Sequence, residues 1–477
     1  MHREPPLPKE LWDQIPPHLQ AALWVMVEGY ERRIAALEAE VAELKVRLNQ
    51  NSQNSSRPPS ADGPQVKRAP PRPPSGRKRG AQAGHAVPPR ALVPMEAVAE
   101  VVVCKPQHCR RCGEPLQGSD PQPWRHQVME VPPPAPHVTE YQLHRLACAR
   151  CRLTTGGTLP AGVPATSYGP RLASLVGLCS GAYRMSKRMV ASFCTEVLGV
   201  PLALGEVCQV EQTVAAALVS PVQEARAYVQ AQDANVDETS WRQQQQRAWV
   251  WVAVTRWVSV FLIRPSRGAK VLRELVGASS GTVLTSDRAK AYNGQPLRRR
   301  QLCWAHLRRD FQAMIDRGGV GAAVGQRLLE HAEVLFGWWH WRRDGTWAWS
   351  TFPGYMRWLR GSFREELHAG ARCACPKTAT TCQELLKVEA ALWTFVRVPG
   401  LEPTNNAAER ALRHAVQWRK TSYGTDSAGG SHFVEHILTV VMTCRQQERN
   451  LLAYLTICCQ ALYAGTSPPS LLPQTIG

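Results

Sequence analysis

Apolar residues recur along the chain in several distinct rhythms, and each rhythm predicts a different element. The first is a heptad. Val27, Ile34, Val41 and Leu48 fall on one seam position, and Leu23, Tyr30, Leu37 and Leu44 on the other. β-Branched residues at a with Leu at d favour a parallel two-stranded coiled coil. Arg33 with Glu38, and Glu40 with Lys45, stand where they could pair across such a dimer. The spacing predicts a dimerisation helix over 17–50; a helix packed on its own domain is the plainer alternative. From 51 to 90 the rhythm stops, and Pro, Ser, Asn and Arg replace the large apolar residues. Such a segment cannot bury enough surface to offset its ordering entropy, so an extended linker is expected.

Helical spacing returns between about 168 and 219, with a break at Gly199-Val200-Pro201. A helix through Met189 and Phe193, followed by a second near 206–217, predicts a helical region over 165–225. A helix-turn-helix would fit it, with Arg184, Lys187 and Arg188 facing phosphate, and a plain helical bundle would fit equally well. The strand rhythm begins after Ala231. Asn235-Val236-Asp237-Glu238-Thr239 opens one strand, and RAWVWVAVTRWVSVFLIR (Arg247–Arg264) supplies two more, broken near Arg256-Trp257. A helix over Arg267–Gly277 follows, then a strand, GTVLTSD, ending at Asp287. Strand–strand–strand–helix–strand with acids on the first and fourth strands is the layout of a ribonuclease-H-like sheet, an analogy of fold. Neighbouring strands would bring two carboxylates to one end of the sheet, the oxygen ligands that hard dications such as Mg²⁺ prefer.

A further helical run, TNNAAERALRHAVQWRK (Thr404–Lys420), carries Glu409 with Arg413 on the same face, and Thr404 is its candidate cap. Asn405, Asn406, Arg410, Arg413, His414, Arg419 and Lys420 crowd this helix with amide and cationic groups that suit DNA phosphates. Between Asp287 and Glu409 a mostly helical insertion is expected at about 319–397. It carries Trp338, Trp339, Trp341, Trp347, Trp349 and Trp358. Packing in the insertion's own core is favoured over base stacking for any one of them. The outline is an α/β multidomain protein: coiled coil 17–50, linker 51–90, a module at 95–160, helical region 165–225, catalytic domain 230–450, and a C-terminal helix and tail 450–477.

Charge narrows the function. The chain of 477 residues carries 57 Lys and Arg against 38 Asp and Glu, a formal +19, which favours a polyanionic partner. The linker is one-sided too, with Arg57, Lys67, Arg68, Arg72, Arg77, Lys78, Arg79 and Arg90 against Asp62. No apolar run approaches the roughly 20 residues of a membrane span, and no secretory signal opens the sequence. A cytoplasmic, nucleoid-associated protein is expected. Four of the 15 cysteines form two CxxC pairs, Cys109/Cys112 and Cys148/Cys151. Four thiolates suit one structural zinc ion, with Cys104, His108, His126 and His144 as competing ligands. Cys303-x-x-His306 resembles half a zinc site without a second pair nearby, so a conformational or DNA-strand-positioning role is expected of it.

The order of VDETSW, Ser286-Asp287, CWAHLRRDF (Cys303–Phe311) and PTNNAAERALRHAVQWRK resembles the insertion-sequence-66 family of transposases from about Tyr30 onward. The LNQNSQNSSRPPSADGP stretch and the CxxC pairs are weaker parts of the same resemblance. The resemblance implies that Asp237, Asp287 and Glu409 correspond to a DDE catalytic triad holding two Mg²⁺ or Mn²⁺ ions. It also makes Arg308 and Arg309 candidate DNA contacts. The implied chemistry is water-driven cleavage that frees a 3′-hydroxyl at the element end, which then attacks target DNA. The expected partners are terminal-repeat and target duplexes, a second copy of the chain, and accessory proteins from the same element. Two rivals stand beside this reading: an inactive, domesticated DNA-binding derivative, and a nuclease acting on RNA–DNA hybrids.

Overall fold

The computed structural model describes residue 5 and residues 7–55, 91–278 and 281–473. The basic part of the expected linker, from 56 to 90, lies outside them. The chain divides into two compact units. One comprises Met1–Val66, Thr139–Phe193 and Pro201–Gly477, and the other Lys67–Val138 with Cys194–Val200.

In the first unit, α1 (Lys9–Trp12) leads into α2 (Pro17–Leu48). Pro17 at the first helical position costs nothing, because its missing N–H would be unpaired there anyway. With 32 residues, α2 is roughly 48 Å long. Tyr30, Ile34, Leu37, Val41, Leu44 and Leu48 of its heptad seam are all exposed. Beyond it, strands β1 (Arg145–Ala147) and β2 (Thr154–Gly156) pair antiparallel around the Cys148–Cys151 turn.

Helices α3 (Pro170–Gly181), α4 (Lys187–Glu196), α5 (Leu204–Ala217) and α6 (Val219–Gln230) follow. Between α4 and α5 the chain reverses through Gly199, whose φ of +68° lies in the left-handed region that glycine adopts without strain. The expected pair of helices is present. Val176, Val207, Val210 and Val214 are buried, and α3 and α5 pack on two later helices, α14 (Ala428–Gln446) and α15 (Leu451–Ala464). The region is thus a helical layer of the larger unit.

The central sheet has the order β5-β4-β3-β6-β7. Strands β3 (Ala234–Gln243), β4 (Gln246–Val254) and β5 (Ser259–Arg264) form an antiparallel meander, turning through Gln244 and Gln245, which both have positive φ. A crossover through α7 (Ala269–Val276) then sets β6 (Leu284–Ser286) parallel to β3, and β7 (Arg300–Leu302) parallel to β6. The run Arg247–Arg264 is near-continuously apolar because helices cover both faces of these strands. On one face, Val250, Val252, Val254, Phe261 and Ile263 pack against Ala408, Ala411, Leu412 and Ala415 of α13 (Asn406–Ser422) and against Val434 and Leu438 of α14. The other face meets α6 and α7, where Val271, Leu272, Leu275 and Val276 are buried.

Between β7 and α13 stands the helical insertion: α8 (Trp304–Asp316), α9 (Gly319–Arg343), α10 (Phe352–Ala371), α11 (Pro376–Lys387) and α12 (Thr394–Arg397). Its core is aromatic, with Trp304, Phe311, Phe363 and Trp393 in mutual ring contact. Each such side chain contributes on the order of 1.5–3 kcal/mol through burial. Trp338, Trp339, Trp347 and Trp349 pack at the edge of this core, whereas Trp341 and Trp358 are exposed. Thr404 is buried and does not cap α13; the cap position belongs to Asn405, which makes no capping bond with its side chain.

Candidate active site

Asp237 lies in the middle of β3, and Asp287 immediately follows β6. The two strands pair in parallel with Asn235 opposite Thr285, so each Asp stands two residues beyond that pair on its own strand. Side chains two apart share a face, and neighbouring strands are about 4.8 Å apart. Register therefore places both carboxylates on the same side of the sheet. Asp237 also pairs with Val252, which contacts the α13 face, and Glu409 occupies the first turn of α13. One sheet face and one helix start thus converge on three carboxylates.

Asp237 sits among these charges. Burial, and then the charges of Glu238, Asp287 and Glu409, push its pKa well above the ordinary carboxylate range. Glu238 points to the opposite face, as alternation requires, and is buried there. Its carboxylate accepts from Arg267 Nε at 2.6 Å and from the Tyr292 hydroxyl. Burial raises its pKa while those donors oppose the rise. Glu238 follows Asp237 directly in the VDET stretch. It is a buried, charge-paired carboxylate behind the triad, and Arg267 in turn lies 5.0 Å over the Trp249 ring. Asp233 is different, because it only accepts from the backbone N–H of Val283 at 2.7 Å.

Helix α8 forms the other wall. His306 Nε2 lies 3.5 Å, and Arg309 Nη2 3.7 Å, from Glu409 Oε1. Burial and the Arg309 charge hold His306 below its usual pKa. Asp310 accepts from Arg288 at 2.7 Å, and Arg300 donates to the backbone oxygen of Asp287 at 3.1 Å. Backbone contacts stitch the two distant motifs together. Trp304 N donates to Pro403 O at 2.9 Å, and Asn405 N donates to Cys303 Sγ at 3.4 Å. Asn405 Nδ2 reaches Val236 O, next to Asp237, at 3.4 Å. Cys303 is buried, and burial pushes its thiol up to about 12, so it stays protonated and suits packing better than metal binding.

The sequence-derived DNA contacts divide by exposure. Arg188, Arg308, Arg410, Arg413 and Lys420 are exposed, and Asn406 is half-buried. Arg308 lies 3.7 Å from Glu333, and Arg184 stands 2.9 Å from His414 Nδ1. Arg419 donates to Thr239 Oγ1 at 3.3 Å and to Ser240 on β3. Lys187 is exposed and ion-paired with the buried Glu211. One assignment needs correction: Asn405 is fully buried, fastening α13 to β3 instead of meeting phosphate.

Each CxxC pair sits in a tight turn. In one, Gly113 N donates to Cys109 O and Cys109 N to Glu114 O, both at 2.9 Å. In the other, Arg152 N donates to Cys148 O at 2.8 Å and Cys148 N to Leu153 O at 2.9 Å. Hydrogen bonds from the backbone of Cys112 and then Arg111 lower the Cys109 thiol pKa, and Cys151 and then Arg150 do the same for Cys148. Such turns favour thiolates.

A dication fits the triad on its own chemistry. Three carboxylates repel one another there, and His306 Nδ1 and Asn405 Oδ1 are buried without a hydrogen-bond partner. The sequence model of the family described as Transposase IS66 family matches residues 168–432, more than half of the chain and the whole span of the triad. The chain belongs to the IS66 family of transposases. Its function is accordingly that of a transposase, a DNA-processing enzyme that binds DNA. A second model, for a family of unknown function, matches residues 5–90. No curated protein matches the chain. In this IS66-family chain, sequence reasoning missed Glu238, Arg267, Tyr292, Asp310 and Arg300 as parts of the site. Glu238, Tyr292, Arg300 and Asp310 lie in or near VDET, SD and CWAHLRRD, whereas Arg267 is 29 residues from Glu238 and carried no linear signal.

Proposed function

We propose that this IS66-family transposase is a DDE enzyme that cleaves element ends and transfers them into target DNA, and that its five-stranded sheet is a ribonuclease-H-like core. The observation that carries the reading is the in-register placement of Asp237 and Asp287 on adjacent parallel strands, under the helix bearing Glu409. Asp237, Asp287 and Glu409 would hold Mg²⁺ or Mn²⁺. When bound, such ions stabilise negative charge on the attacking and leaving oxygens of a phosphodiester. The chain's own groups do the rest. His306 and Arg309 position Glu409, Arg267 and Tyr292 hold Glu238, and Arg300 fixes the turn at Asp287. Exposed Arg410, Arg413 and Lys420 hold phosphates beside the site. The reading is tested by incubating the protein with Mg²⁺ and DNA carrying the element's terminal repeats. Nicked ends with free 3′-hydroxyls support it. DNA binding without nicking supports the domesticated, inactive alternative.

The knuckles at Cys109/Cys112 and Cys148/Cys151 are proposed to hold structural zinc. Their surroundings expose Val101, Val102, Val103, Trp124, Val128 and Leu146, so there is little apolar core to stabilise them otherwise. Cys109→Ser or Cys148→Ser is expected to remove about one zinc per chain together with local folding. Metal analysis and limited proteolysis check this, and zinc content equal to wild type would dismiss it. Cys303→Ser should leave zinc unchanged.

Helix α2 is proposed to pair with a second copy of the chain, because its apolar seam is exposed over more than two heptads. Ile34→Asp with Val41→Asp, or removal of residues 1–50, should convert dimer to monomer in light scattering and weaken paired-end cleavage. Binding to a single end should remain. A truncated protein that stays dimeric would move the contact to another surface.

A further inference from the structure

Helix α14 carries a cluster that the triad and the knuckles leave unused. His432, Glu435 and His436 stand at i, i+3 and i+4, so they share one helical face. One ligand atom from each lies within 4.8 Å of the others, and among the described residues this is the one such trio of His, Cys, Asp or Glu side chains. We propose that His432, Glu435 and His436 bind one transition-metal dication of the zinc class, at a site separate from the catalytic carboxylates and the cysteine knuckles.

Three features beyond proximity support it. First, His436 Nδ1 stands 3.0 Å from the backbone oxygen of Ala215. A carbonyl can only accept, so Nδ1 carries the proton and Nε2 is left bare as a lone-pair donor. Metal-binding imidazoles are commonly oriented by such a bond from their other nitrogen. Second, Glu435 Oε1 accepts from Ile263 N and from Arg264 Nη1, both at 2.6 Å. The carboxylate is thereby fixed, with Oε2 turned toward His432 Nδ1 at 3.5 Å. Third, the His432 side chain is 59% exposed, so it can rotate onto an ion, and a fourth position stays open to water. Two imidazoles and one carboxylate select zinc-like ions over Mg²⁺, which prefers oxygen ligands alone.

The H-x-x-E-H spacing also occurs in zinc peptidases, where the Glu serves as a base. That role does not suit Glu435, which is buried and already bonded to a guanidinium and a backbone amide. It suits a ligand. An ion here would tie the exposed start of α14 to the layer formed with α5 and β5.

The test uses the full-length protein, stripped of metal and dialysed against Zn²⁺, with bound metal then measured. Wild type is expected to hold one equivalent more than His432→Ala or His436→Ala. Each substitution should weaken that equivalent by at least about tenfold. A Cys109→Ser, Cys148→Ser protein should retain it. Co²⁺ distinguishes the sites in the wild-type protein itself, because the His–Glu site gives ligand-field bands without the thiolate charge-transfer absorption of the knuckles. Equal zinc content and affinity in wild type and His432→Ala overturns the proposal. That substitution removes an exposed side chain, so its result stands even if His436→Ala, which also loses its bond to Ala215, folds poorly.

Discussion

Asp237→Asn, Asp287→Asn and Glu409→Gln are each expected to reduce cleavage of terminal-repeat DNA by at least about a thousandfold while leaving DNA binding largely intact. Each substitution keeps the size of the side chain and removes a charged oxygen ligand, so the fold is retained and cation binding is lost. Gel-based nicking and a binding titration on the same preparations separate the two properties. A variant that cuts at near wild-type rate would remove its residue from the triad. The neighbours should differ in rank. Asp233→Asn can still accept the Val283 N–H and should remain active. Glu238→Gln gives up its ion pair with Arg267 directly behind Asp237. A loss of about 10- to 100-fold is expected, the range typical of residues that orient metal ligands. If Glu238→Gln proved as active as Asp233→Asn, the opposite face of β3 would have no part in the chemistry.

The second large effect is on stability. Asp237 in the folded protein titrates well above its ordinary value of 3.8. The folded state therefore holds a proton that the unfolded state has released. Metal-free stability should fall as pH rises from about 4 through the raised value, and the full penalty then persists at higher pH. A dication relieves the same repulsion, so Mg²⁺ should raise the melting temperature more at pH 8 than at pH 5. Asp237→Asn should melt higher than wild type without metal at pH 8, with a much smaller response to Mg²⁺. Each kcal/mol corresponds to about 2–4 °C for a domain of this size. Melts with EDTA and with Mg²⁺ at both pH values check the prediction. It fails if Asp237→Asn matches wild type under all four conditions.

Much of this was legible in the linear sequence, because it depends on local periodicity. The β3, β4 and β5 strands, the α7 crossover and the strand leading into Asp287 follow from alternation and apolar runs, which any chain position carries in its immediate neighbours. The heptads of α2 and the helical insertion follow for the same reason. The three carboxylates were legible through motif order, and Asp287 and Glu409 also sit at element boundaries that the pattern marks, whereas Asp237 lies within β3. Only tertiary structure decided what surrounds them. A strand side chain's face depends on register with its partners, so Glu238, adjacent to Asp237, turned out to be a buried counter-charge for Arg267 on the opposite side. Asn405 lies in a polar, cationic stretch that suggested a DNA surface. The approach of α13 to β3 buried it completely and gave its amide to Val236 O. Lys187 was claimed by Glu211 once α4 and α5 formed. His306 and Arg309 came beside Glu409 only because α8, about a hundred residues earlier in the chain, folds against the start of α13. Contacts of that kind are chosen by the packing of whole elements, which no local pattern encodes.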